Sequence, residues 1–376
     1  MRTIKKVNIY LHVRELDGTA YNPKMVWHKK QAVFVEIVDS SNLSGWGECW
    51  TFDNSNQALI EYLKSEISPK VIGKPINSIT EIWNSIWSTN ALSGRSGISA
   101  TALSAIDIAL WDLNAKASKT SIADLINKSI RPVPVYASGG LYKKDQTPEA
   151  LAKELADYVS NGHTIVKMKT GALAFKDDLE RLRAARKAIG DETLLIIDAV
   201  YSLDKEKAEH WLPYWEESRV SIIQAPFSPD DWESMQWLNE RTNLSVMAYE
   251  AESRFEIFRS LLKMNALGIM QFSCIAAGGI TGSLKLIELA KEYSIPVSLQ
   301  CSSTFFAEAV AMQIAASCNN IIHVELHQFH TSFYDLAPKE SIYPNMQPGF
   351  TQLPSGFGVG FEPPINQIKI VATVDA

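Results

Sequence analysis

Asp198, Gln224 and Glu250 stand 26 residues apart, one to the next, and each closes a short apolar run. Leu-Leu-Ile-Ile precedes Asp198, Val-Ser-Ile-Ile precedes Gln224, and Ser-Val-Met-Ala-Tyr precedes Glu250. Three oxygen-bearing side chains brought together suit a hard divalent cation, which prefers carboxylate and carbonyl oxygens. The spacing suggests how they meet. A buried strand, a loop, a helix and a return take about that many residues in an eight-stranded parallel barrel, whose strand C-terminal ends share one mouth. Any one of the three could be a polar strand end meeting solvent. The common spacing, with Lys167-Met168-Lys169 one strand earlier, favours a site.

The elements that would carry these residues fall into two textures. Over the first part, Val7, Ile9 and Leu11 alternate as in a strand, and residues 32–38 form a second strand after a loop at residues 16–28. Gly45-Trp46-Gly47-Glu48 ends this sheet. Helical spacing then appears at Leu59, Ile60, Leu63 and Ile67, ending near Pro69, and again at Ile79, Ile82, Trp83, Ile86 and Trp87. A long apolar helix is expected from Ile98 to about Ala117. From Arg131 onward strands and amphipathic helices alternate, with strand-like runs at 133–137, 164–169, 194–200, 221–225, 245–250, 268–273, 296–301 and 321–325. Eight such runs favour a closed barrel over an open sheet. No GxGxxG follows the first of them, which argues against a dinucleotide site.

The expected fold class is therefore α/β: a modified (β/α)8 barrel at residues 131–349, with an N-terminal α+β capping domain at 1–130. The strand-like residues 368–374 have no barrel slot, so residues 350–376 are expected to complete the cap.

Composition narrows the function classes. A chain of 376 residues with 46% hydrophobic and 21% charged residues can build a large core. A net charge of −6 without a Lys/Arg block argues against a nucleic-acid surface. Cys49, Cys274, Cys301 and Cys318 form no CxxC pair, so neither zinc nor a disulfide framework is indicated. The start lacks the apolar core of a signal peptide and no stretch has the length of a membrane span. These features lead to the expectation of a soluble cytoplasmic protein, a homo-oligomer, with a small molecule as its partner.

Several stretches carry a resemblance: Gly45-Trp-Gly-Glu48, Ala105-Ile-Asp-Ile-Ala-Leu-Trp-Asp112, Pro134-Val-Tyr-Ala137, Val166-Lys-Met-Lys169, Gly278-Gly-Ile-Thr-Gly282 and Gly356-Phe-Gly-Val359. Together they resemble the enolase superfamily, specifically its mandelate racemase/muconate lactonizing enzyme group, over nearly the whole chain. The resemblance implies removal of the proton next to a substrate carboxylate, with the resulting enediolate stabilised on Mg²⁺, as that superfamily is known to do. It implies racemase, epimerase, cycloisomerase or dehydratase chemistry. Lys169 would be the base, and Lys167 would lower its neighbour's pKa by like-charge repulsion. Strand alternation sends both ammonium groups to one face. Asp198, Gln224 and Glu250 take the positions of the metal ligands. Loops of the cap at 16–28 and 50–54 would close over the substrate, with Tyr21, Lys24, Trp50 and Phe52 as candidates to touch it.

The chain departs from the family pattern in three places. The middle ligand, a glutamate in relatives, is Gln224, which removes one negative charge. Val200 replaces a frequent asparagine. On the wall opposite Lys169, the usual positions of a second base are Ser273 and Gln300, while Glu325 keeps the position of a substrate-binding carboxylate. His323, His327 and His330 cluster near that strand, where polar strand-end histidines are the commoner case. Cys301 should point away from the lumen. Two other readings stay open: a binding protein on the same scaffold with a weakened metal site, and a sugar-binding or hydrolytic barrel using two metal-free carboxylates.

Overall fold

The structure, a computed structural model, describes residues 2–51, 56–92, 94–241, 243–329, 336 and 346–376. The expectations for Phe52, Asn54 and His330 lie outside the described residues. The chain opens with β1 (Ile4–Glu15), β2 (Ala20–Tyr21), β3 (Lys29–Asp39) and β4 (Ser44–Cys49). Alternation along β1 and β3 buries both faces of this sheet. Val7, Ile9, Val33, Val35 and Ile37 pack on the cap helices, whereas Tyr10, Ala32, Phe34 and Trp46 join the core shared with the barrel.

The helices are α1 (Asn56–Tyr62), α2 (Ser68–Val71), α3 (Ile79–Thr89) and α4 (Ile98–Ala117), with one π-helical stretch, Leu63–Ile67, between α1 and α2. The helical run ends at Val71, two residues past Pro69, close to the end expected there.

Helix α4 is buried almost all round, and its two carboxylates fasten it. Asp112 accepts from the Trp46 N–H at 2.9 Å and the Val359 N–H at 2.8 Å, and pairs with Lys116 at 2.7 Å. Asp107 accepts from the Thr281 N–H at 2.8 Å, which ties the cap to the barrel. A Cβ on Gly47 would collide with the Ala105 carbonyl, so glycine there lets β4 lie directly on α4.

The barrel strands are β5 (Val133–Ser138), β7 (Ile165–Lys169), β8 (Leu194–Asp198), β9 (Val220–Gln224), β10 (Ser245–Ala248), β11 (Ile269–Phe272), β12 (Val297–Leu299) and β13 (Ile321–His327). All run parallel, and pairing of β13 with β5 closes the ring. Tyr136, Ile196, Ile222, Met247 and Ile269, from β5 and from β8 to β11, form a separate cluster that fills the barrel interior. Between β5 and β7, β6 (Tyr142–Lys143) pairs with β2, so the segment read as a loop at 16–28 contains a strand that joins cap to barrel. Finally β14 (Phe350–Thr351) lies antiparallel on β5, and β15 (Lys369–Asp375) lies antiparallel on β1, giving the cap sheet the order β15-β1-β3-β4. No helix among the described residues is long and apolar enough to cross a membrane.

Candidate active site

Register places the chemistry. Lys169 pairs with Asp198 across β7 and β8, and Asp198 with Gln224 across β8 and β9, so three functional side chains end adjacent strands at one level. Glu250 follows two residues beyond β10. Met168 faces the helices while Lys167 and Lys169 face inward, as period-two alternation requires.

These residues line a cavity of about 210 Å³ at the C-terminal end of the barrel. Lys169 Nζ lies 2.5 Å from Asp198 Oδ2. Lys167 Nζ donates to the Gln224 amide oxygen at 2.8 Å, pairs with Glu325 at 2.6 Å and stands 3.5 Å from Asp198. The Tyr201 hydroxyl donates to Glu250 Oε2 at 2.6 Å. Two ammonium groups against the carboxylates of Asp198, Glu250 and Glu325 leave one net negative charge.

Burial pushes the Asp198 carboxyl upward, but Lys169 and Lys167 outweigh it and hold the group below the ordinary carboxylate range. Burial lowers Lys167 in turn, and Glu325 and Asp198 more than reverse this, so it remains an ammonium. Glu250 moves upward, first through burial and then through the charge of Asp198. A cation would relieve that repulsion. With Gln224 supplying a third oxygen, the donor set fits Mg²⁺, one unit of charge short of a three-carboxylate site. Among the described residues no three His, Cys, Asp or Glu side chains gather as a metal site, in keeping with an amide as the middle donor.

Of the other expected residues, Lys24, Trp50, Gln300 and Glu325 line the cavity. Gln300 is buried, and among the described residues its amide oxygen has no hydrogen-bond partner. Tyr21 and Ser273 are not on the wall. The Tyr21 ring stacks on Tyr142 at 5.3 Å, drawn away by the β2–β6 pairing. Ser273 is buried just past the end of β11, with its N–H donating to the Glu250 carbonyl at 2.8 Å.

The structure adds Asn22, Met25, Trp27, Leu141, Val200, Tyr201, Ser302 and His327 to the wall. Trp27 comes from the segment 16–28 read as a loop, and Tyr201 from the turn just after Asp198. Nothing in local pattern marked Leu141 or Ser302. Lys30 sits behind the wall, donating to the Ser302 carbonyl at 2.7 Å with its ammonium 4.4 Å from the Trp27 ring centroid. His327 is driven well below the usual histidine range by burial and then by Lys169, Lys167 and Lys30, so it is neutral near pH 7. A larger open groove of about 970 Å³ lies beside the β2–β6 pair; within it Lys143 pairs with Glu154 and Lys153 with Asp157.

Comparison with known proteins bears on what this cavity does. Residues 22–127 match the mandelate racemase/muconate lactonizing enzyme N-terminal domain, and residues 150–367 match the family described as enolase C-terminal domain-like. The arabinonate dehydratase of Saccharolobus solfataricus is 27% identical over 335 residues, covering 89% of this chain and 88% of that protein. The D-galactarolactone cycloisomerase of Agrobacterium fabrum is 26% identical over 371 residues, covering 96% of each chain. A crystal structure of a mandelate racemase/muconate lactonizing enzyme-like protein from Rubrobacter xylanophilus superposes with a TM-score of 0.86 at 26% identity, covering 97% of this chain and 98% of that one.

Proposed function

The chain belongs to the mandelate racemase/muconate lactonizing enzyme group of the enolase superfamily, and from that premise we propose that it abstracts the α-proton of a small carboxylate substrate with Lys169 as the base. The relatives are named dehydratases and cycloisomerases, so the chemistry that follows is β-elimination or cycloisomerisation. The observation that carries this reading is the shared carboxylate: Asp198 binds Lys169 at 2.5 Å and lies in register with Gln224.

Each residue has a distinct task. Lys169, in its neutral form, takes the proton from the carbon next to the carboxylate. The electron pair left behind forms a double bond to the β-carbon and breaks the bond to its substituent, which leaves as hydroxide and takes up a proton from water in elimination, or is a ring oxygen whose departure opens the ring in cycloisomerisation. Lys167, held by Glu325 and Gln224, presents positive charge to the substrate carboxylate. Trp27, Met25, Trp50 and Leu141 exclude water above it. Asp198, Gln224 and Glu250 would hold a Mg²⁺, which when bound supplies Lewis-acid stabilisation of the negative charge developing on the carboxylate. In this reading residues 131–349 form the catalytic barrel, and residues 1–130 with 350–376 form its cap.

The far wall has one consequence. Gln300, just past β12, cannot titrate near neutral pH, Ser273 does not reach the cavity, and burial and three lysines hold His327, which does line it, well below the usual histidine range and so make it a weak base. The chemistry therefore proceeds from one face of the substrate. The competing reading, a ligand-binding protein on this scaffold, draws on the neutral Gln224. Proton NMR in D₂O decides between them, using arabinonate and other sugar-acid and amino-acid carboxylates. Loss of the α-proton signal with the parent and none with Lys169→Ala supports the enzyme. Saturable binding without exchange across the panel would support the binding protein.

A further inference from the structure

We propose that Tyr201 is a positioning residue of the cation site, its hydroxyl holding Glu250 in the place from which that carboxylate reaches the cation. The inference rests on the cation reading above. Asp198 and Gln224 end paired strands, and the ladder fixes where their side chains begin. Asp198 is further held by Lys169 and by the Val200 N–H at 3.1 Å, and Gln224 by Lys167. Glu250 lies two residues past β10, outside the ladder, and the Tyr201 hydroxyl at 2.6 Å supplies its side-chain hydrogen bond.

The backbone is bent to bring that hydroxyl there. Val200 and Tyr201 both occupy the left-handed region, with φ of 48° and 57°. A β-branched residue is rare in that conformation and is kept there only when its surroundings over-determine it. They do so here. The Ala199 N–H donates to the Gln224 carbonyl at 3.0 Å, the Tyr201 N–H to the Ala225 carbonyl at 2.7 Å, and the Ser202 N–H to the Ala199 carbonyl at 3.1 Å. The turn thus hangs from the end of β9 and swings the Tyr201 ring across to the neighbouring strand end. There it stacks on Tyr249, with centroids 6.2 Å apart and planes within 14°. The ring also stands between the cavity and a second recess of about 330 Å³ lined by Trp232, Tyr249 and Arg254. A shorter donor could orient Glu250 but would leave the two spaces joined.

Outer groups of this kind change metal affinity by about 10- to 100-fold when removed. Mn²⁺, an oxygen-seeking stand-in for Mg²⁺, is titrated calorimetrically into the full chain and four variants. Y201F is expected to bind Mn²⁺ at least tenfold more weakly with an unchanged melting temperature. Y249F, whose hydroxyl donates to the Pro229 carbonyl at 3.0 Å, should match the parent. In a Glu250→Ala background, Y201F should cost nothing further, because the side chain it positions is gone. That cycle also covers a loss of fold, since both of its arms carry the same loss. Equal Mn²⁺ affinity in Y201F and the parent, or an equal loss in both backgrounds, overturns the inference and leaves the cation reading intact. A parent chain with no saturable Mn²⁺ binding overturns both.

Discussion

Replacing Glu48 by Gln should remove a pH dependence of stability set at the junction of cap and barrel. Glu48 on β4 is fully buried and accepts hydrogen bonds from the Ser303 and Thr304 hydroxyls, the latter at 2.6 Å. Burial pushes its carboxyl from 4.5 up to about 7, with those hydroxyls pulling partly back. Because the folded chain holds this proton more tightly than the unfolded one, the stabilisation is complete below pH 4.5. It is lost as pH rises through 7. At 1.36 kcal/mol per pH unit the gap corresponds to about 3 kcal/mol, most of which falls between pH 5 and 8. Glutamine keeps the shape and can bond both hydroxyls without ionising, so its own contribution is the same at every pH. The assay is urea unfolding followed by tryptophan fluorescence, parent against variant, at both pH values. The variant should gain on the parent by about 2 to 3 kcal/mol as pH rises from 5 to 8. A difference that does not change with pH would refute the reasoning.

Three further outcomes follow from the same geometry. Gln224→Glu restores a third carboxylate beside Asp198 and Glu250, and calorimetry should show Mg²⁺ bound at least about tenfold more tightly than by the parent; equal or weaker binding would remove Gln224 from the ligand set. Gln300→Ala should raise KM with kcat nearly unchanged, whereas Ser273→Ala should leave both alone, since only Gln300 is on the cavity wall. Residues 16–28, which bring Asn22, Lys24, Met25 and Trp27 to the cavity, should gain hydrogen-exchange protection at saturation with a carboxylate that supports α-proton exchange; unchanged exchange there would argue against closure by this segment.

Much of the architecture was legible because it rests on short-range periodicity. Each of the eight barrel strands is an apolar run bounded by turns, and all eight runs read from sequence coincide with β5 and β7–β13. The parity of Lys167 and Lys169 was equally local, since one intervening Met168 sends both to the same face. The glycines and carboxylates of the resemblance motifs proved to be fastenings: Gly47 admits α4, Asp112 ties it to Trp46, Asp107 to Thr281, and Glu48 to Thr304.

What was not legible depends on where the chain turns. Counting placed Ser273 on the wall, but β11 ends at Phe272 and the next residue is taken up by a bond to the Glu250 carbonyl. Tyr201 reaches Glu250 only because Val200 and Tyr201 adopt left-handed backbone, which no propensity favours for valine. Tyr21 was drawn off by a two-residue strand pairing with β6, too short to show as alternation.

In this mechanism a single base, Lys169, acts on one face of the substrate. Proton NMR in D₂O tests it most directly, following each enantiomer of a chiral α-proton carboxylate separately with the parent chain. One enantiomer should lose its α-proton signal without interconversion, and Lys169→Ala should lose neither. Rapid deuterium uptake by both enantiomers, with their interconversion, would contradict the claim and show a second base at the cavity.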